Sequence, residues 1–239
     1  MTKAPQTGAP VPGWSPPPRP AGDTLTGARV RLEALNANKH AAELFDEMDG
    51  HDRLWDYMPY GPFPGKQAYA QWISETVADE AHLFYAVRNL ATGRAEGVAS
   101  YLRINPGAGS VEVGHICLSP ALQRTPAATE AMFLMMQWAF EAGYRRYEWK
   151  CNALNIPSRR AAQRLGLSYE GVFRQAAVIK ERNRDTAWFA AIDSEWPRLR
   201  EAFSAWLDPS NFDARGVQRK ALGAFTAPVL VAADPAFSL

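Results

Sequence analysis

Cysteine is nearly absent: the 239 residues hold only Cys117 and Cys151, which excludes a disulfide framework and makes no zinc site. A reducing cytoplasm is the expected home, and no metal is expected. An excess of charge is also lacking, because 26 Lys and Arg offset 25 Asp and Glu to a net charge of +1. No general field draws the chain to nucleic acid or to an anionic membrane, and no basic run marks a nucleic-acid face. Any anionic ligand has to be held by local geometry. Long apolar runs are missing too. Nothing approaches the ~18 uninterrupted apolar residues of a membrane span, and the opening MTKAPQTGAPVPGW lacks the apolar stretch of a signal peptide. These absences lead to the expectation of a soluble, unprocessed protein.

What is present is globular in composition. With 47% hydrophobic and 21% charged residues, the chain has enough apolar surface for a sizeable core. Residues 1–24 stand apart, since Pro16, Pro17, Pro18 and scattered apolar residues cannot repay the entropy of ordering. They are expected to form a flexible tail with Trp14 as its anchor. A domain is expected over 25–207, followed by an extension, 208–239, with only weak helix and loop signals.

Periodicity orders the domain. Ala28–Ala34 alternates as a strand, while Ala41, Leu44, Phe45 and Met48 are spaced as one helix and Tyr69, Trp72, Ile73 and Val77 as a second. Between the helices lies LWDYMPYGPFPG, a loop dense in aromatics. HLFYAVRN (82–89), GVASYLRI (97–104) and SVEVGHICL (110–118) read as a meander of strands joined by turns. Thr125 is placed as an N-cap and Pro126 as the first residue of a long helix running to Ala142, whose apolar residues surround it and predict burial on more than one side. YEWKCN (147–152) reads as a strand, Asn155–Leu165 as a short helix closed by Gly166, and Tyr169–Phe173 and Thr186–Asp193 as strands. The sum is an α/β fold with a mixed sheet covered by helices on both faces.

The junction LSPALQRTPAATE, Leu118 to Glu130, turns a strand into the buried helix. A helix start offers unpaired N–H groups and the positive end of a dipole, which suits a phosphate. Every capped helix shares these features, so the junction alone names no ligand. The segment resembles the acetyl-CoA pyrophosphate loop of the GNAT superfamily of N-acetyltransferases, Q/R-x-x-G-x-G/A, with Gln123 in the first position and Ala128 in the last. Asn155-Ile156-Pro157-Ser158, Leu165-Gly166-Leu167, Glu170-Gly171 and the later Asp185 follow in the order found in the branch that acetylates ribosomal-protein amino termini. The resemblance covers roughly Gly27 to Trp196. It departs from the pattern at Pro126, which stands where a glycine is usual and brings no N–H. Leu167 for the usual Phe exchanges one core residue for another.

The resemblance implies a mostly antiparallel GNAT sheet whose central strands, Ser110–Leu118 and Tyr147–Asn152, splay apart to admit acetyl-CoA. Backbone groups of Ile116, Cys117 and Leu118 would hold the pantetheine arm, and a nearby N–H would polarise the thioester carbonyl. The N–H groups of Arg124, Thr125, Ala127 and Ala128, with Gln123 and the Thr125 hydroxyl, would form the phosphate cradle. Asn155 would contact the pantetheine and cap its helix, and Ser158 would protonate the departing sulfur or bond local backbone. Arg124, Arg159 and Arg160 would meet phosphates, or simply be solvated.

The implied reaction is direct attack by an amine. A lysine-like amine is neutral in only ~0.04% of molecules at pH 7, so it needs a base or a desolvated site. Glu112 and His115 are the candidates; regular alternation puts them on opposite faces unless a bulge intervenes. The resemblance favours Glu112, which as a bare residue reads equally as a solvated or arginine-paired carboxylate. His115 alone reads first as a core histidine. Trp55, Tyr57, Tyr60 and Phe63 would recognise the acceptor, plug the sheet edge or form a dimer contact. Cys117 and Cys151 read as small core residues. The acceptor is left open between a protein amino terminus and a small-molecule amine, and a second copy of the chain is a further candidate partner. An acyl-CoA-binding sensor without turnover is the alternative that Pro126 motivates, and an interaction protein using the aromatic loop is a third.

Overall fold

A computed structural model of the chain describes residues 7–237; the first six residues of the proline-rich segment and the last two of the C-terminal extension lie outside the described residues. Side chains that alternate between two apolar environments hold together a single sheet. Its strands are β1 (Leu25–Thr26), β2 (Val30–Ala34), β3 (Leu83–Asn89), β4 (Ala95–Asn105), β5 (Ser110–Leu118), β6 (Arg146–Asn152), β7 (Ser168–Ile179) and β8 (Arg182–Ile192). The spatial order is β1-β2-β3-β4-β5-β6-β8-β7, and β5 with β6 is the one parallel pair among the described residues. The expected mixed, mostly antiparallel α/β sheet is therefore present.

Helices cover both faces. On one side lie α1 (Ala37–Met48) and α2 (Lys66–Val77), which bury Leu44, Met48, Tyr69 and Ile73 against Phe84, Ala86 and Val98 of the sheet. On the other lies α3 (Pro126–Glu141), opened by the Thr125 cap, whose Oγ1 accepts from the Ala128 N–H at 3.1 Å. Its near-continuous apolar surface is explained by two partners. Met132, Met135 and Met136 meet the sheet, while Phe133 and Phe140 stack on Phe203 and Trp196 of a helix the sequence reading omits, α5 (Trp196–Leu207). Each such side chain contributes on the order of 2 kcal/mol by leaving water. The charged exception, Glu130, is buried because its carboxylate accepts the N–H groups of Ala28, Arg29 and Val30 at 3.2, 2.6 and 2.9 Å, tying β2 to α3. Gly27 is required there, since a Cβ would lie 2.5 Å from Glu130 Oε2.

Both ends of the described residues pack on this frame. Pro17 is buried, the Tyr144 hydroxyl donates to the Pro18 carbonyl, and Arg19 donates to the Ile104 and Glu80 carbonyls. The Arg145 guanidinium lies 5.5 Å from the Trp14 ring centroid. The short helix α4 (Ile156–Arg164) follows β6, and a final helix α6 (Leu222–Thr226) contributes Leu222 to the main core. Beyond it, Asp234 is fully buried against α4, where Arg159 Nε and Nη2 donate to its two oxygens at 2.7 and 2.6 Å.

Candidate active site

The opening of the site is a break in strand pairing. β5 and β6 pair from Ser110 with Arg146 to Val113 with Trp149 and no further, although β5 continues to Leu118 and β6 to Asn152. Backbone past the break on these facing edges is free to bond something other than the neighbouring strand. α3 and α4 begin just beyond these diverging ends.

A bulge decides which side chains meet. Ser100 pairs with Gly114 but Val98 pairs with Cys117, so His115 and Ile116 together oppose Ala99. His115 takes the left-handed conformation, φ 49°, that absorbs the extra residue. The alternation resets, placing Cys117 in the α1/α2 cluster and His115 against Tyr60 and Phe84, on the face that Glu112 also occupies. Burial, with the neighbouring His82, Arg103 and Arg184 charges, pushes the His115 imidazole down to about 4. It is neutral at pH 7, and its Nδ1 shares a 3.1 Å hydrogen bond with the Tyr60 hydroxyl, which burial keeps protonated. An NMR titration is expected to show this ring neutral at pH 5 and protonating near pH 4. The unfolded imidazole titrates near 6.5, so between those values the unfolded state binds more protons. Stability therefore falls as pH drops through this window, and His115→Phe should remove that part of the slope.

Glu112 is 3% exposed and sits in an alternating row of charges. Arg103 Nη1 and Lys150 Nζ reach its Oε2 at 2.7 and 2.9 Å; Lys150 also reaches Glu148 at 2.7 Å, and Arg146 bridges Glu148 to Glu170. Burial alone would raise the Glu148 carboxyl, but hydrogen bonds from Arg146 and Lys150 outweigh it and lower it. Lys150, itself 6% exposed, lies 3.7 Å from the Trp188 ring centroid. Arg103 differs from Lys150 in being 61% exposed. Lys150 and Arg103 are absent from the residues singled out by sequence. The signal for Lys150 is the charged, alternate positions 146, 148 and 150 of β6, opposite the apolar 147, 149 and 151; Arg103, on β4, belongs to no such pattern.

On the other side of the opening, two helix starts converge. In the loop before α3, the Thr125 N–H donates to the Leu122 carbonyl and the Ala128 N–H is spent on the Thr125 cap. The Thr125 hydroxyl donates to Leu122 at 2.7 Å, so it closes the loop instead of facing outward. Gln123 is likewise a brace, its Nε2 donating to the Leu118 carbonyl at 2.9 Å. Arg124, at φ 63°, and Ala127 keep N–H groups with no partner among the described residues. Pro126 fits as the first helical residue, where its missing N–H costs nothing. At α4, the Asn155 side chain caps Ser158 N–H at 3.1 Å, the Trp149 indole donates to Ser158 Oγ at 3.0 Å, and the Ser158 hydroxyl bonds the Cys151 thiol. Arg159, expected to meet a phosphate or be solvated, instead directs its guanidinium to Asp234 and to the Ala153 carbonyl. Arg160 lies over the Phe237 ring.

The aromatic loop forms the rim. Trp55 is 4% exposed and packs among Tyr60, Phe63 and Tyr69, propping the loop from beneath. Tyr57 is 39% exposed, and its hydroxyl donates to the Leu154 carbonyl across the opening. Lys180, at the β7–β8 turn, donates to the carbonyls of Trp55 and Gly61 at 2.9 and 2.7 Å. Loop and hairpin thus meet over the face that carries Glu112 and His115. Both thiols are unsuited to nucleophilic work, since burial pushes Cys117 up to about 12 and also raises Cys151.

Comparison with known proteins agrees with this geometry. Residues 29–168 match the family model described as an acetyltransferase (GNAT) domain. A crystal structure of a GCN5-related N-acetyltransferase from Brucella melitensis is 44% identical, with a TM-score of 0.89 over 91% of this chain and 100% of that one. A GNAT-family protein from Chromobacterium violaceum is 41% identical, with a TM-score of 0.76 over 82% and 99%. The uncharacterized N-acetyltransferase YnaD of Bacillus subtilis is 24% identical over 63% of this chain and 86% of its own.

Proposed function

Because the chain belongs to the GNAT family of acetyltransferases, we propose that it acetylates a primary amine by direct attack within a ternary complex, the acceptor lying on the Glu112 face and the cosubstrate on the α3 side. The amine is that of a protein amino terminus or of a small molecule. Acetyl-CoA supplies, when bound, the thioester whose acetyl group is transferred. The observation that supports this arrangement is the break beyond Val113 and Trp149, which opens the sheet between its two faces.

The chain's own groups fit such a cosubstrate. Backbone of Ile116 to Leu118 lines the diverging edge, the Arg124 and Ala127 N–H groups stand at the positive end of α3, and Asn155 and Ser158 flank the opening from α4. The oxygens of Glu112 form the proton acceptor. The exposed Arg103 arm exchanges for the incoming ammonium, which then passes a proton to the carboxylate that Lys150 keeps in place. His115 positions the acceptor as a neutral ring beside Tyr60. Ser158 holds a hydroxyl proton for a departing anion. Closure by the aromatic loop and the Lys180 bridge excludes water from the amine.

The test is release of CoA thiol with a panel of peptides, polyamines and amino acids, run beside a thermal shift with CoA. Stabilisation by CoA and turnover of at least one amine is the expected outcome. Stabilisation with no turnover on any amine contradicts the catalytic reading.

A further inference from the structure

Three buried polar atoms have no hydrogen-bond partner among the described residues: the Tyr147 hydroxyl, the Trp188 indole N–H and Arg184 Nε. Tyr147 belongs to the core beside Phe140 of α3. Arg184 is different because it is charged. Placing a guanidinium in a half-buried position without a counter-ion costs free energy that folding does not recover. Such a group is retained when a ligand completes it.

Its location says which ligand. Asn152 at the end of β6 pairs with Thr186, so Arg184 stands two residues further along β8, at the level where β5 and β6 have already diverged. By strand alternation it shares a face with Thr186 and with Trp188, whose ring is covered by Lys150. Along that face, Arg103, Lys150 and Arg146 are matched one for one by Glu112, Glu148 and Glu170. Arg184 forms no ion pair among the described residues, and its charge helps to push the His115 imidazole down. The loop at Trp55–Gly61 and the Lys180 bridge connect over this same side.

We propose that Arg184 receives an oxyanion carried by the acceptor, so that the preferred amine substrates of this enzyme bear a carboxylate or phosphate group close to the reacting amine. The inference rests on the acceptor face assigned above. A planar guanidinium binds either group through paired N–H donors, and its neighbour Glu112 receives the ammonium end, which sets the two charges of the acceptor in opposite directions.

The test is acceptor binding measured by calorimetry, with and without saturating CoA, for ω-amino acids of increasing length each paired with its amide, and aminoalkylphosphonates each paired with its amino alcohol. At least one oxyanion-bearing member should bind about tenfold or more tightly than its neutral pair, and whether that member is a carboxylate or a phosphonate identifies the group. Arg184→Gln should abolish the preference, leave CoA binding unchanged and melt at or above the wild-type temperature; Arg184→Lys should keep part of the preference. Absence of discrimination in every wild-type pair, discrimination that survives in Arg184→Gln, or a loss of CoA affinity in its place would each overturn the proposal. Failure of the acetyltransferase reading shows separately, as absence of CoA binding before any acceptor is added or as absence of CoA thiol release with every amine.

Discussion

Glu112→Gln is expected to lower kcat/KM for the amine by about 10²–10³-fold while leaving CoA affinity within about twofold. The amide keeps the shape of the side chain and one acceptor oxygen, but it loses the charge that draws an ammonium and the lone pair that takes its proton. The effect belongs in kcat, because removing a proton acceptor weakens the transition state more than the ground state. Folding is the necessary control, since Lys150 would retain only Glu148 as a close carboxylate. Thermal melts of the variant therefore accompany the rates. A change of less than about threefold would move the proton to a water chain or to His115, and His115→Ala would then carry the larger loss. The low basicity of His115, set by its burial, predicts the opposite ranking.

Asp234→Ala is expected to lower stability by about 3 kcal/mol, a fall of roughly 6–12 °C in Tm. The Asp234 side chain is fully buried and that of Arg159 is 11% exposed, so truncation leaves a guanidinium without its anion in a site closed to water. Arg159 pins the first turn of α4, where Asn155 and Ser158 lie, to the C-terminal extension. Loosening that turn should also raise KM for acetyl-CoA. Arg159→Ala should cost a similar amount, and the double variant should cost less than the two separately, as partners in one interaction do. A Tm unchanged by Asp234→Ala would show that the extension does not support α4. Thermal unfolding of the full chain reads all three variants.

Regular periodicity made α1, α2, the β3–β5 meander and α3 legible in the sequence, because each has a face that must leave water. The helix α5 carries an equally clear signal in the three- and four-residue spacing of Trp196, Leu199, Phe203 and Trp206. The distal half of the β7–β8 hairpin carries no such signal. From Arg174 to Arg182 no side chain is buried, and the strands are held by backbone pairing and by Asp185 accepting from the Gln175 N–H. At the site, the presence of Glu112 and His115 was readable while their common face was not. That face depends on a bulge whose left-handed residue is a histidine, with no glycine to announce it. The ion pairs of Glu112 with Arg103 and Lys150 depend on strand register, which local sequence does not encode. Arg159 shows the same limit from the other side, since its partner Asp234 lies 75 residues away in a segment with weak signals.

The central claim is that the acetyl group passes directly between two substrates held on opposite sides of the opened sheet. Initial rates measured while acetyl-CoA and the amine are varied together test it most directly. Intersecting double-reciprocal lines are predicted, because both substrates must be present before transfer, and because the buried Cys117 and Cys151 thiols are held away from ionisation. Parallel lines, with an acetylated Cys117 or Cys151 captured by mass spectrometry in the absence of amine, would contradict the account.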